Sequence, residues 1–83
     1  MDVTVGEFRY EVELRPDLPH CCEWAECARR AKFEVKRRMS GDEWVSLWVR
    51  AVFCAGHVGD ALTKHAVWDE YARDDLNLVE ELA

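Results

Sequence analysis

Two short segments rich in cysteine and histidine restrict this chain of 83 residues more than any other feature. The first runs from Cys22 to Cys27 with the spacing C-x4-C, and the second runs from Cys54 to His57 with the spacing C-x2-H. Three thiolates and one imidazole form a complete tetrahedral shell for a structural zinc ion. The sequence therefore predicts one zinc ion, bound by Cys22, Cys27, Cys54 and His57.

The first ligand of this predicted site has an alternative, because Cys21 and Cys22 are adjacent and either can pair with Cys27. The C-x4-C spacing favours Cys22, since spacings of two to four residues are usual within a zinc ligand pair. Cys21 is then a spare thiol. His20, which precedes it, is expected to be an exposed loop residue, and either of these two residues remains an alternative ligand.

Length and composition indicate one small domain over residues 1–83, whose core alone gives limited stability. A hydrophobic fraction of 49% and four Trp residues exclude a disordered chain. No apolar run approaches the ~20 residues that cross a bilayer, and the first residues show no signal-peptide pattern. We expect a cytoplasmic protein with no membrane contact, in which clustered cysteines bind metal more often than they form disulfides.

Alternating hydrophobic and polar residues predict strands on both sides of the first ligand pair. Residues 3–14 are expected to form a strand, or a small hairpin if Gly6 occupies a turn. Residues 31–38 and 43–53 predict two further strands, joined by a turn at 39–42. The long gap between the two ligand pairs thus accommodates a β-hairpin.

Helical periodicity follows the second ligand pair. Hydrophobic residues spaced by three and four predict one helix over residues 57–72, and a weaker pattern predicts a short C-terminal helix over 75–82. His65 lies on the apolar face of the longer helix without a second ligand nearby. It is expected to be a core histidine bonded to the backbone.

This order of knuckle, hairpin and helix resembles the treble-clef zinc finger, over residues 20–72. By position, Cys22 and Cys27 match the knuckle pair of that family, and Cys54 and His57 match the pair at the start of its helix. The resemblance implies an α+β domain in which an antiparallel hairpin or sheet packs on one main helix and encloses a structural zinc ion.

Catalytic chemistry has little support in the sequence. A structural site filled by four protein ligands leaves no position for substrate or water. The chain contains neither H-E-x-x-H nor the zinc-deaminase pattern, and no His lies between Cys27 and Cys54 to act as the base of a treble-clef nuclease. We therefore predict a protein that is not an enzyme.

Two binding functions remain. The predicted outer face of the hairpin combines aromatic and basic residues, namely Lys32, Lys36, Arg38, Trp44, Trp48 and Arg50. Such a surface suits a protein partner or a homodimer, unless residues 3–14 or a second subunit cover the Trp residues. The same surface also suits stacking on single-stranded nucleic acid. The net charge of −6 favours a protein partner over nucleic acid, although residues 29–38 form a local basic stretch.

Overall fold

The computed structural model describes residues 1–41 and 43–82, while Asp42 and Ala83 lie outside the described residues. The described strands are β1 (Asp2–Val5), β2 (Phe8–Leu14), β3 (Phe33–Gly41), β4 (Val45–Phe53) and β5 (Leu78–Leu82). The helices α1 (Val58–Thr63) and α2 (Val67–Tyr71) and a 3-10 turn (Asp75–Asn77) connect β4 to β5. The sheet has the order β1-β2-β3-β4-β5, and every neighbouring pair is antiparallel.

The predicted α+β fold of treble-clef type, with a hairpin packed on one main helix, is therefore wrong. The described chain is mainly one five-stranded antiparallel sheet with two short helices. The N-terminal segment pairs along the edge of β3, and the C-terminal segment pairs along the edge of β4. The central hairpin is thus extended by a strand pair on one side and a single strand on the other, instead of ending against a helix.

Residues 75–82 form a turn and a strand, so the predicted C-terminal helix is also wrong. The side chain of Asp74 accepts a hydrogen bond from the backbone of Leu76 at 3.0 Å and begins the 3-10 turn. The chain then becomes β5, in register with residues Val45–Val49 of β4. Pairing with the available edge of β4 outweighs the weak helical periodicity, and alternate residues of β5 can then exchange backbone hydrogen bonds with β4.

The predicted helix over 57–72 is interrupted between Thr63 and Val67. At the break, the carbonyl of His65 accepts a hydrogen bond from Nη1 of Arg37 on β3 at 3.0 Å. After the break, the indole of Trp68 donates to the carbonyl of Ala61 at 2.8 Å. Two tertiary hydrogen bonds thus accompany the interruption that local periodicity did not predict.

The main core lies between the two helices and one face of the sheet. Trp68 is fully buried at its centre, with its ring 5.7 Å from the ring of Tyr10 and 5.9 Å from that of Phe53. Cys22 and Cys54 belong to the same cluster of buried residues. The hydrophobic core and the cysteine-rich segments therefore form one continuous packed unit.

The opposite face of the sheet, which we call the outer face, is covered by charged side chains. Lys36 forms ion pairs with Glu11 and Glu81, and Glu34 pairs with both Arg15 and Arg50 at 3.0 Å. The described strands of this face therefore neutralise much of one another's charge. Because β2 pairs with β3 and β1 pairs with β2 within the sheet, neither strand lies over the outer face.

The sequence left open whether the two Trp residues of this face are exposed, and the structure buries Trp48. Trp48 lies on the outer face but is only 4% exposed, with the guanidinium of Arg9 5.9 Å and the amine of Lys36 5.7 Å from its ring centre. Long basic side chains can cover apolar surface with their aliphatic stems. Trp44, by contrast, precedes β4 and is 74% exposed.

Candidate metal centre

The segment from Cys21 to Arg30 folds into a tight loop that carries the first ligand pair. An isolated antiparallel bridge joins Cys21 to Arg30, and the backbone of Cys22 donates to the carbonyl of Arg29 at 2.8 Å. Glu26, immediately before Cys27, has a left-handed φ of 62°, a conformation that costs a residue other than glycine about 1–2 kcal/mol. This local turn directs Cys22 and Cys27 toward the same point.

The second ligand pair lies where β4 ends and α1 begins. The backbone groups of His57 and Val58 both donate to the carbonyl of Cys54 at 3.1 Å, which reverses the chain immediately after the strand. His57 is the N-cap residue of α1. This compact turn places the imidazole of His57 on the same side as the Cys54 sulfur.

All four predicted ligands meet in space, with their ligand atoms within 4.8 Å of one another. The Sγ atoms of Cys27 and Cys54 are 3.9 Å apart, and Nδ1 of His57 lies 3.7 Å from Sγ of Cys22 and 3.4 Å from Sγ of Cys54. Bonds of about 2.3 Å to sulfur and about 2.1 Å to nitrogen require tetrahedral edges of about 3.8 Å between sulfurs and about 3.6 Å from sulfur to nitrogen. The observed separations match that geometry, so the cluster can hold a metal ion and is compatible with zinc.

The spare thiol and the other histidines lie elsewhere. Cys21 is exposed, and its neighbour Cys22 provides the clustered sulfur. His20 is exposed, as expected. Nδ1 of His65 is hydrogen-bonded to the hydroxyl of Tyr10 at 3.1 Å, so this histidine uses a side-chain partner and not the predicted backbone partner.

The sulfurs differ in their affinity for protons. Burial raises the pKa of the Cys22 thiol to about 11. Burial also acts to raise the pKa of Cys54, but hydrogen bonds from the Gly56 backbone and from neighbouring thiols, among others, lower it to about 7. A metal ion held by these four side chains would displace the thiol protons, since thiolates are the ligands that bind it.

Side chains that the sequence did not identify surround the ligands. The Trp24 ring stacks on His57 with a centroid separation of 5.4 Å and an angle of 14° between the planes. Glu23 accepts a hydrogen bond from the Val52 backbone at 3.0 Å, and its carbonyl accepts one from the Tyr71 hydroxyl at 3.3 Å. These contacts hold the first ligand loop against β4 and α2. The only sequence signal for Glu23 and Trp24 was their position inside the C-x4-C segment.

Comparisons with protein families, with curated proteins and with solved structures gave no match. The interpretation of the site therefore rests on the geometry of its own residues. The helices of the described residues are all too short to cross a membrane, since the longer, α1, has six residues and a span needs about 20.

Proposed function

We propose that this chain is a small zinc-binding protein in which the metal is structural and which acts as a protein-interaction module without enzymatic activity. The observation that carries the metal assignment is the clustering of the ligand atoms of Cys22, Cys27, Cys54 and His57 within 4.8 Å of one another. A thiolate-rich tetrahedral site favours zinc over the oxygen-seeking cations magnesium and calcium.

A structural role is supported by the position of the ligands in the fold. Cys22 is 5% exposed, Cys54 is 4% exposed, and both pack in the main hydrophobic cluster. Four protein ligands complete the shell of a tetrahedral zinc ion and leave no position for a substrate. The metal would then connect the loop before the central hairpin with the turn after it.

An interaction role is supported by exposed hydrophobic side chains at the end of the sheet where β3 passes into β4. Met39 is 39% exposed, Trp44 is 74% exposed, and Leu82, which pairs in register with Val45, is 88% exposed. Aromatic residues and Met are enriched in protein interfaces. This end of the sheet replaces the Trp48 region as the aromatic surface for a protein partner or a second copy of the chain.

Nucleic-acid binding is the weaker alternative. Within the basic stretch 29–38, Lys36 is engaged by Glu11 and Glu81, and Arg37 is buried with its guanidinium 3.7 Å from the Phe8 ring centre. These two cations do not present the continuous basic stripe that a nucleic-acid backbone requires.

Metal removal tests the proposed structural role. We expect one zinc ion per chain by elemental analysis of untagged protein, and a large fall in melting temperature after complete chelation that is reversed by zinc. The physical reason is that the binding energy of a structural zinc, of order 10 kcal/mol in small fingers, counts as folding energy. A melting temperature that is unchanged after verified zinc removal would contradict the proposal.

A further inference from the structure

A shallow cleft beside the candidate metal centre is lined by basic side chains and by the loop that follows β4. Its lining residues are Arg29, Arg30, Lys32, Cys54, Ala55 and Gly56. Three of these six residues are cations and none is an acid. We call this surface the basic cleft.

The cations of the basic cleft form no ion pair with a carboxylate of the described residues. Over residues 1–41 and 43–82, the basic residues that form ion pairs are Arg15, Lys36 and Arg50, all on or beside the outer face. Arg29, Arg30 and Lys32 are all exposed and have no ion-pair partner among the described residues. The whole chain has 17 acidic and 11 basic residues, so a concave surface with three unpaired cations departs from its general character.

The backbone beneath these cations is well fixed. The carbonyl of Arg29 accepts a hydrogen bond from Cys22 at 2.8 Å, and the backbone of Lys32 donates to the carbonyl of Phe53 at 2.9 Å. Nε of Arg30 donates to the carbonyl of Leu18 at 3.1 Å, which restricts the orientation of its guanidinium. The cleft therefore presents its charges from a largely preformed frame, which lowers the entropy lost on binding.

The two walls of the basic cleft belong to the two halves of the candidate metal centre. One wall follows Cys27 in sequence, and the other is the turn that begins at Cys54. The sulfurs of these two residues are 3.9 Å apart. A metal bound between them would fix the distance between the walls, so metal binding and cleft geometry are physically connected.

We propose that the basic cleft binds an acidic segment of a protein partner and that the metal organises it for this purpose. This inference rests on the proposed structural metal. Two arginines suit carboxylates, because each guanidinium can donate two parallel hydrogen bonds to one carboxylate. A short run of Asp or Glu supplies two or three carboxylates, which matches the number of cations in the cleft.

A protein segment suits this surface better than a nucleic acid. Double-stranded DNA carries one charge per about 1.7 Å of its axis and would extend beyond a cleft with three cations. The surrounding surface is acidic, and residues 69–82 alone carry six acids and one base. A short acidic peptide can bind within the cleft and avoid most of that repulsion.

The direct test measures the binding of a labelled hexaglutamate peptide to the zinc-loaded protein at low salt. The cleft variant carries Arg29→Gln, Arg30→Gln and Lys32→Gln. The control variant carries Arg9→Gln, Lys64→Gln and Arg73→Gln, which remove the same charge from exposed positions outside the cleft. We expect the cleft variant to bind about tenfold more weakly, because it loses three ion pairs with the peptide together, and the control variant to change little.

The link to the metal is tested by reciprocity. If zinc organises the cleft, saturating hexaglutamate must raise the zinc affinity of the wild-type chain by the factor by which zinc raises its peptide affinity. Hexaglutamate should leave the zinc affinity of the cleft variant unchanged. This comparison also corrects for zinc that the peptide itself binds, because that contribution is the same for both proteins. An equal response of both proteins would overturn the metal dependence.

The remaining outcomes separate this inference from the proposed function. Equal losses of peptide affinity in the cleft and control variants would overturn the cleft proposal and leave the structural metal intact. The same conclusion follows if the zinc-loaded protein has a zinc-dependent melting temperature but does not bind hexaglutamate. Tighter, cleft-dependent binding of a short oligothymidylate would overturn the choice of a protein partner. Failure to take up zinc at all would overturn the proposed function itself.

Discussion

At the scale of single residues, the two adjacent cysteines Cys21 and Cys22 have different environments. Cys22 is buried in the core with its sulfur facing His57, whereas Cys21 is exposed in the backbone bridge with Arg30. In an extended segment, neighbouring side chains point in opposite directions, so only one of the two thiols can face the cluster. The fold thereby selects one ligand from two chemically identical candidates.

Substitution of these cysteines should separate their roles. Cys22→Ser is expected to lower zinc affinity by at least about tenfold, the lower end of the effect known for changes around metal ligands, and to destabilise the fold. Cys21→Ser, the matched control, should retain full zinc content and the wild-type melting temperature. Elemental analysis and competition with a chromophoric chelator provide the measurement, and zinc loss in Cys21→Ser alone would reverse the ligand assignment.

Trp48 and Trp44 make a second contrast at this scale. Trp48 is 4% exposed and Trp44 is 74% exposed. Trp48→Ala is therefore expected to reduce the free energy of unfolding by about 3–5 kcal/mol, and Trp44→Ala by about 0.5 kcal/mol or less. Urea unfolding of the zinc-loaded proteins measures both values. Greater destabilisation by Trp44→Ala would contradict the burial of Trp48 on the outer face.

At the scale of elements, the strands follow local patterns more closely than the helices do. The β1–β2 hairpin depends on a turn at Gly6, whose φ of 62° lies in the left-handed region. The helical segment after β4 depends instead on contacts from β3, because Arg37 donates to the carbonyl of His65 at the break between α1 and α2. A turn that depends on one residue can be predicted from the sequence. A helix break that depends on a hydrogen bond from a distant strand cannot.

Glycine-to-alanine substitutions should distinguish a glycine with a left-handed φ from a glycine in a helix. A Cβ at Gly6 meets no atom within 4 Å, yet Gly6→Ala should destabilise the protein by about 1 kcal/mol because of the left-handed φ. Gly59, which lies in α1 and also has open space, lacks such a φ, so Gly59→Ala should stabilise by about 0.5–1 kcal/mol. Thermal or urea unfolding measures both changes, and the same sign for the two variants would contradict this account.

At the scale of the whole molecule, the first ligand loop, the sheet and α2 are held together by side chains around the metal centre. Tyr71 of α2 donates to the carbonyl of Glu23 in the ligand loop. Burial, together with the charge of Glu23, raises the pKa of Tyr71 from 10.0 to about 12. The global stability of the fold should therefore depend on pH in the alkaline range.

The sign of this dependence follows from the two states of Tyr71. Between pH 10 and about 12 the unfolded chain loses the phenol proton while the folded chain keeps it, so the free energy of unfolding falls as pH rises. Below pH 10 both states keep the proton and the effect is absent. Tyr71→Phe should flatten the decline, with a residual slope from Tyr10 and Lys36, and from Cys22 in metal-free protein, because the pKa of each of these groups is also raised in the folded state. Urea unfolding across this pH range measures the decline in the free energy of unfolding. An equally steep decline in Tyr71→Phe would contradict its assignment to Tyr71.

The sequence by itself determined the candidate ligands and most of the strand pattern. Cys22, Cys27, Cys54 and His57 were identifiable because metal-ligand spacing is local within each pair and the donor chemistry is specific. Strands were identifiable because alternation with a period of two depends on neighbouring residues only. That information predicted the pairing of β3 with β4, but not the pairing of β2 with β3 or of β5 with β4.

Tertiary structure alone decided the sheet edges, the break in the helical segment and the burial of Trp48. The pattern Leu76, Val79 and Leu82 has helical spacing, but residues 78–82 pair with β4 because that edge is available in the folded chain. Trp48 has the sequence position of an exposed residue and is covered by Arg9 from β2 and Lys36 from β3. Each of these outcomes depends on contacts between residues that are far apart along the chain, and local periodicity carries no information about them.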